Sequence, residues 1–137
     1  MTSEVINALN ELARGFPGAR IEHREDGQGG AHVVVFGLTL GSGFVPSTSW
    51  IGFSISGLYP RTDVYPHFVR ADVARADGRN LMPPLNPGHI MPGFDYPAVM
   101  LSRRSNRWDP SRDTAALKLL RVLLWFSQQG QELEVAA

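Results

Sequence analysis

The 137-residue chain contains no cysteine. That absence excludes disulfides, thiolate metal sites and thiol catalysis together. Net charge is missing as well, because 13 basic residues balance 13 acidic ones. No overall positive field is available to hold a nucleic-acid backbone. No apolar run approaches the ~20 residues that cross a bilayer, so no membrane association is expected. The N-terminal stretch MTSEVINALNELARG carries acidic residues and lacks an apolar signal core, so the expected location is cytoplasmic. Lysine is nearly absent: Lys118 stands alone beside twelve arginines. That bias reads as genome composition, not as a phosphate-binding signal. The four histidines, His23, His32, His67 and His89, form no His-x-His or His-Glu-x-x-His pair. No metal site and no cofactor are expected, and solvated or hydrogen-bonded histidines are the plain reading. No Gly-Lys-Ser/Thr follows Gly78 or the Gly41/Gly43 pair, so there is no phosphate loop.

What is present suits one domain with one core. Hydrophobic residues make up 43% and charged residues 19%, a globular balance. The boundaries read as a single domain over 1–130 and a tail over 131–137. Residues 3–14 read as an amphipathic helix, since Val5, Leu9, Leu12 and Phe16 recur on one helical face. Thr2 or Ser3 can cap it, and Gly15 and Pro17 end it. Three strand candidates follow: Ala19 to Glu25, Ala31 to Leu40 and Trp50 to Leu58. The glycine-rich Asp26 to Gly30 turn separates the first two. In the third, Ile51, Phe53 and Ile55 alternate with Gly52, Ser54 and Ser56, the pattern of an antiparallel sheet covered on one side. A fourth strand is expected over Phe68 to Val73, with Val69, Ala71 and Val73 inward. Arg75 to Pro97 holds five prolines and reads as a long irregular coil.

The stretch Ala98 to Phe126 organises the rest. An apolar run, Ala98-Val99-Met100-Leu101, leads into an arginine-rich loop from Ser102 to Arg107. Trp108-Asp109-Pro110 then opens a helix over Asp113 to Gln129. Asp113 or Ser111 is placed to cap it and Gly130 to end it. Its residues are apolar nearly all round, with Lys118, Arg121 and Gln128 as a narrow wet stripe, so it is expected to be largely buried or at an interface.

Tyr59-Pro60, Tyr65-Pro66-His67-Phe68-Val69 and this Trp-x-Pro helix resemble the centre of the ubiquitin-conjugating (E2, UBC-like) fold. The likeness spans about residues 3–129 in element order and is closest to divergent bacterial E2-like proteins. Ser102 to Trp108 is similar to a Ser-Arg-His-x-x-x-Trp pattern of that group, with Arg104 in place of its histidine. The resemblance implies an α+β, UBC-like domain: an N-terminal helix, a four-stranded antiparallel meander, a long proline-rich coil and a buried C-terminal helix. In that family the catalytic cysteine lies eight residues before the tryptophan, which is Met100 here. The family's oxyanion asparagine, in a His-Pro-Asn tripeptide, would fall at Pro92; the nearest sequence is Gly88-His89-Ile90-Met91-Pro92. A thioether has no proton to lose and cannot carry an acyl group. The resemblance thus implies a non-enzymatic member, an adaptor for an E1-like, ubiquitin-like or E2 partner.

Two alternatives stand beside it. One is a generic RWD-like interaction module that forms a homodimer through the apolar helix. The other is an E2-like enzyme using the oxygen nucleophile Ser102, although no Ser-x-x-His or Gly-x-Ser-x-Gly context surrounds it. The candidate partner-binding residues are Ser102, Arg103, Arg104, Arg107, Trp108 and His89. The plain reading of the arginine cluster is a solvated surface; the sharper one is a patch for an acidic surface or a C-terminal carboxylate, which guanidinium groups bind bidentately. Trp108 also reads as a packing residue, because it leads directly into the helix.

Overall fold

The computed structural model describes residues 1–136, with side chains described as far as Gly130. Helix α1 spans Ser3–Gly15. The Thr2 hydroxyl caps it, accepting the Val5 N–H at 3.2 Å. Val5 and Leu12 are buried, and Leu9 and Phe16 pack at their margin, as the spacing predicts.

Strands β1 (Ile21–Glu25) and β2 (Ala31–Thr39) form a hairpin. Asp26 shapes its turn: one carboxylate oxygen accepts the N–H of Gln28 at 2.7 Å and of Gly30 at 2.9 Å. A two-residue strand, β3 (Phe44–Val45), precedes β4 (Thr48–Ile55), and β5 (His67–Arg70) follows. Strands β1, β2, β4 and β5 make the expected antiparallel meander. Val69 and Val73 are buried, but Ala71 is exposed in the turn after β5. In that turn β6 (Ala74–Arg75) leaves to pair with β3 as a separate ribbon.

The main sheet continues beyond four strands. Strand β7 (Leu85–Met91) pairs with β8 (Tyr96–Leu101), and β8 pairs with β5. The order is β1-β2-β4-β5-β8-β7. Two expectations are corrected here: the sheet has six strands, and 75–97 is not one irregular coil. The prolines fall where the ladder spares them. Pro87 sits in a bulge of β7 between Asn86 and His89, and Pro97 lies one residue outside the β5–β8 pairing. The sheet edges are β7 and the charged β1, which carries Glu22, His23, Arg24 and Glu25.

Both helices pack into one core. Val33, Phe53, His67 and Leu101 form one inward row across the sheet, and Val35, Ile51, Val69 and Val99 the next. Val5 and Leu12 from α1 meet these rows, as do residues of the C-terminal helix. The opposite face holds a smaller cluster of Val34, Phe68, Met91, Phe94 and Ala98, with Met100 half-buried beside it. Gly52 has a reason here: a Cβ on it would stand 2.6 Å from the Met91 sulfur.

Helix α2 spans Ala115–Ala136. Its cap is Thr114, whose hydroxyl accepts the Leu117 N–H at 3.1 Å. Neither Asp113 nor Ser111 serves, because both are engaged with Asp109. Gly130 does not end the helix, which runs past it. Its role is close contact instead: a Cβ there would lie 2.8 Å from the Gly43 nitrogen. The side chains of the stretch read as a tail, 131–137, lie outside the described residues. No helix among the described residues is long and apolar enough to cross a membrane.

Gly43 therefore carries a testable demand. A Cβ on it would meet Gly130 backbone atoms at 2.8 and 2.9 Å, and backbone cannot swing aside. Gly43→Ala is expected to lose about 1–3 kcal/mol, the usual cost of overpacking. A thermal melt at or above the wild-type temperature would show that the loop and helix can part freely.

The burial of α2 differs from the expectation. Ala115, Lys118, Leu119, Val122 and Phe126 face the core, so Lys118 is buried and not part of a wet stripe. Leu117, Leu120 and Leu124 are 43%, 48% and 57% exposed, so the helix keeps an apolar outer stripe.

Candidate functional site

Two segments distant in sequence meet at the start of α2. Trp108 donates its indole N–H to the Pro60 carbonyl at 2.7 Å. The Tyr59 hydroxyl accepts the Ala115 N–H at 3.1 Å. These bonds fix residues 59–60 against the loop that enters α2. The polar edge of Trp108 is used inside the fold, so this candidate is a packing residue here.

Beyond that lock lies a charged cluster. Lys118 donates its ammonium to both Asp63 carboxylate oxygens at 3.1 Å, to the Arg103 carbonyl at 3.2 Å and to the Ser105 hydroxyl at 2.7 Å. Ser105 in turn donates its N–H to Asp63 at 2.7 Å and its hydroxyl at 2.9 Å. The arginine loop is thereby pinned at its middle to α2 and to the β4–β5 connection. Burial alone would raise the Asp63 carboxyl, but the Ser105 N–H, Lys118 and the Ser105 hydroxyl win and hold it below the usual value. Burial pushes the Lys118 ammonium below its usual value, against the pull of Asp63.

His67 lies beneath, fully inside the core on β5, with its ring 5.2 Å from that of Phe53. Its Nε2 has no hydrogen-bond partner among the described residues. Burial, then the Lys118 charge, push its pKa down to about 3, so it is neutral at ordinary pH. Of the two plain readings, solvated or hydrogen-bonded, burial overturns the first at this position.

Loop residues 103–107 and Asp113, Lys118, Arg121 and Val122 line a cavity of about 350 Å³ above the cluster. Its charges divide into two groups. Lys118 is balanced by Asp63, and Arg121 by Asp113 at 2.7 Å. Arg103, Arg104 and Arg107 have no carboxylate partner among the described residues. Arg104 lies over the Tyr65 ring at 4.2 Å and Arg103 over the Trp125 ring at 5.4 Å, so both guanidinium groups rest on aromatic rings. Three such groups around one hollow suit an anionic partner, since each offers a planar fork to carboxylate or phosphate.

The other candidates lie elsewhere. Ser102 extends the β8 register: its N–H donates to the Pro84 carbonyl at 2.9 Å, and its hydroxyl accepts from Asn86 at 3.3 Å. No basic side chain is bonded to that hydroxyl among the described residues. His89 is exposed on edge strand β7, opposite Ala98. Met100 sits on β8 between Phe68 and Asn86, on the sheet face opposite α2.

Asp63, Ser105 and Lys118 were not among the sequence candidates. The readable signal was Lys118, a lone lysine in register with Ala115, Val122 and Phe126. A serine–lysine contact of 2.7 Å invites a nucleophile reading. The bonding argues against it: the ammonium is charged against Asp63, and the Ser105 proton already goes to a weakly basic carboxylate. No group of three metal-ligating side chains occurs among the described residues. Comparison with protein-family models, curated proteins and solved structures gives no match for this chain.

Proposed function

We propose that this protein is a catalytically inactive, E2-like adaptor in a bacterial ubiquitin-like conjugation system. It holds an E1-like, ubiquitin-like or E2 partner at the arginine cavity. The observation that carries this reading is the set of Arg103, Arg104 and Arg107 around a hollow of about 350 Å³, unneutralised by carboxylates among the described residues. Support also comes from the coarse element order, a helix, a meander, a Trp-x-Pro loop and a second helix, with the β7–β8 hairpin added between meander and loop. The residue aligned with the family's cysteine is a thioether in a strand.

The test is capture of ubiquitin-like and E1-like proteins by the wild type and by an Arg103→Glu/Arg104→Glu variant. The variant is expected to bind at least about tenfold more weakly, because charge reversal turns attraction into repulsion. Equal capture by both would remove the arginines from the interface. A hydroxylamine-sensitive adduct lost in Ser102→Ala would make the protein an enzyme instead.

The exposed stripe of Leu117, Leu120 and Leu124 favours a second reading, a homodimeric RWD-like module. Light scattering separates the two: a dimer broken by Leu120→Glu supports the module, and a monomer at high concentration opposes it.

A further inference from the structure

We propose that the arginine cavity and a neighbouring apolar cleft form one bipartite groove, and that its occupant is an acidic peptide segment bearing a bulky apolar side chain. This rests on the docking reading above and adds the chemistry of the docked segment.

The cleft has a volume of about 360 Å³; Phe44, Leu81, Met82, Leu85 and Trp125 form its apolar wall, and Arg79 and Arg75, the latter paired with Asp77, also line it. A cavity of that size accepts one large side chain. Met82 stands at its mouth, 62% exposed, where water meets a long apolar side chain at a cost. Trp125 belongs to this wall, and Arg103 belongs to the arginine cavity. The Arg103 guanidinium lies over the Trp125 ring at 5.4 Å, so one stacked pair separates the two hollows. Residues two apart in an extended peptide are about 7 Å apart and point the same way, so one segment spans that divide.

Charge chooses the occupant. Three guanidinium groups demand several negative charges, and the adjoining wall demands apolar surface. An oligophosphate satisfies the first and leaves the cleft wet. A purely apolar segment fills the cleft and leaves the arginines unpaired. A segment with glutamates within a few residues of a phenylalanine or leucine meets both needs.

The test is fluorescence polarisation with a labelled peptide of several glutamates followed by phenylalanine. Two control peptides replace the phenylalanine by alanine or the glutamates by glutamine. Each control is expected to bind about tenfold or more weakly, the effect of losing one buried aromatic ring or the ionic contacts. Met82→Glu, at an exposed position, is expected to abolish the preference for phenylalanine over alanine while keeping the need for glutamate. Arg104→Glu is expected to weaken the two glutamate peptides and to leave the glutamine peptide nearly unchanged. Binding indifferent to phenylalanine, or an unchanged preference in Met82→Glu, overturns the bipartite groove and leaves the arginine docking reading standing. No binding of any peptide also overturns it, while capture of whole partners still judges the adaptor. A phenylalanine preference with no effect of Arg104→Glu counts against the arginine reading itself.

Discussion

Asp63→Ala is expected to cost about 3–5 kcal/mol of folding stability, the effect of stranding one member of a buried ion pair. The Lys118 side chain is 5% exposed and that of Asp63 16%. Removing the carboxylate leaves an ammonium in the core with only the Ser105 hydroxyl and the Arg103 carbonyl as acceptors. It also strands the Ser105 N–H. The two partners pull in opposite directions. The carboxyl is held below its usual value, so Asp63 gains from its surroundings. The ammonium is pushed below its own, so Lys118 loses more to burial than it recovers. The geometry favours a pair of small net worth whose halves are each costly alone. Asp63→Leu/Lys118→Met is therefore expected to recover much of the loss. Urea unfolding measures all three chains. An Asp63→Ala loss under about 1 kcal/mol would show that water reaches the cluster and screens it.

Acidification is expected to destabilise the protein well above the carboxylate range, through His67. Its folded pKa is about 3, lowered first by burial and then by the Lys118 charge, against an ordinary value of 6.5. The unfolded chain therefore binds a proton below pH 6.5 that the folded chain refuses. Stability is complete above that pH and falls by about 1.4 kcal/mol per unit towards pH 3. The full loss is about 4–5 kcal/mol, comparable with a large part of a small domain's stability. His67→Leu keeps an apolar side chain of similar size beside Phe53 and removes the titration. Its stability is expected to be nearly flat between pH 6.5 and 4.5, while the wild type drops. Asp63 and Asp113 act lower, because their folded values lie below 3.8. Parallel curves for the two proteins would place the acid-sensitive group elsewhere.

The parts of this fold that were legible in advance have a strong period. Val5 and Leu12 mark the inner face of α1, and Ile51, Phe53 and Ile55 that of β4, as their spacing indicates. The β7–β8 hairpin was hidden by its prolines. They suggest coil, yet two of them occupy a bulge and a position outside the neighbouring ladder. The α2 register was hidden by excess. With leucine on every side, hydrophobicity alone does not say which face turns inward, and the lysine was assigned to water. The structure turns Lys118 inward because Asp63 waits there, from a connection whose position sequence spacing does not reveal. The arginine loop was legible as a cluster. That Ser105 anchors it, and that Ser102 and His89 lie apart from it, depends on pairings made across the sheet.

The outer strands limit how copies of this chain can meet. A newcomer aligning with β1 must lay its backbone beside Glu22, Arg24 and Glu25. One aligning with β7 finds the hydrogen-bond row interrupted at Pro87. Neither flank invites the chain-on-chain growth that leads to fibrils. Under the second reading proposed above, the leucine row of α2 is a finite patch, which would close two copies on each other and not extend into a polymer.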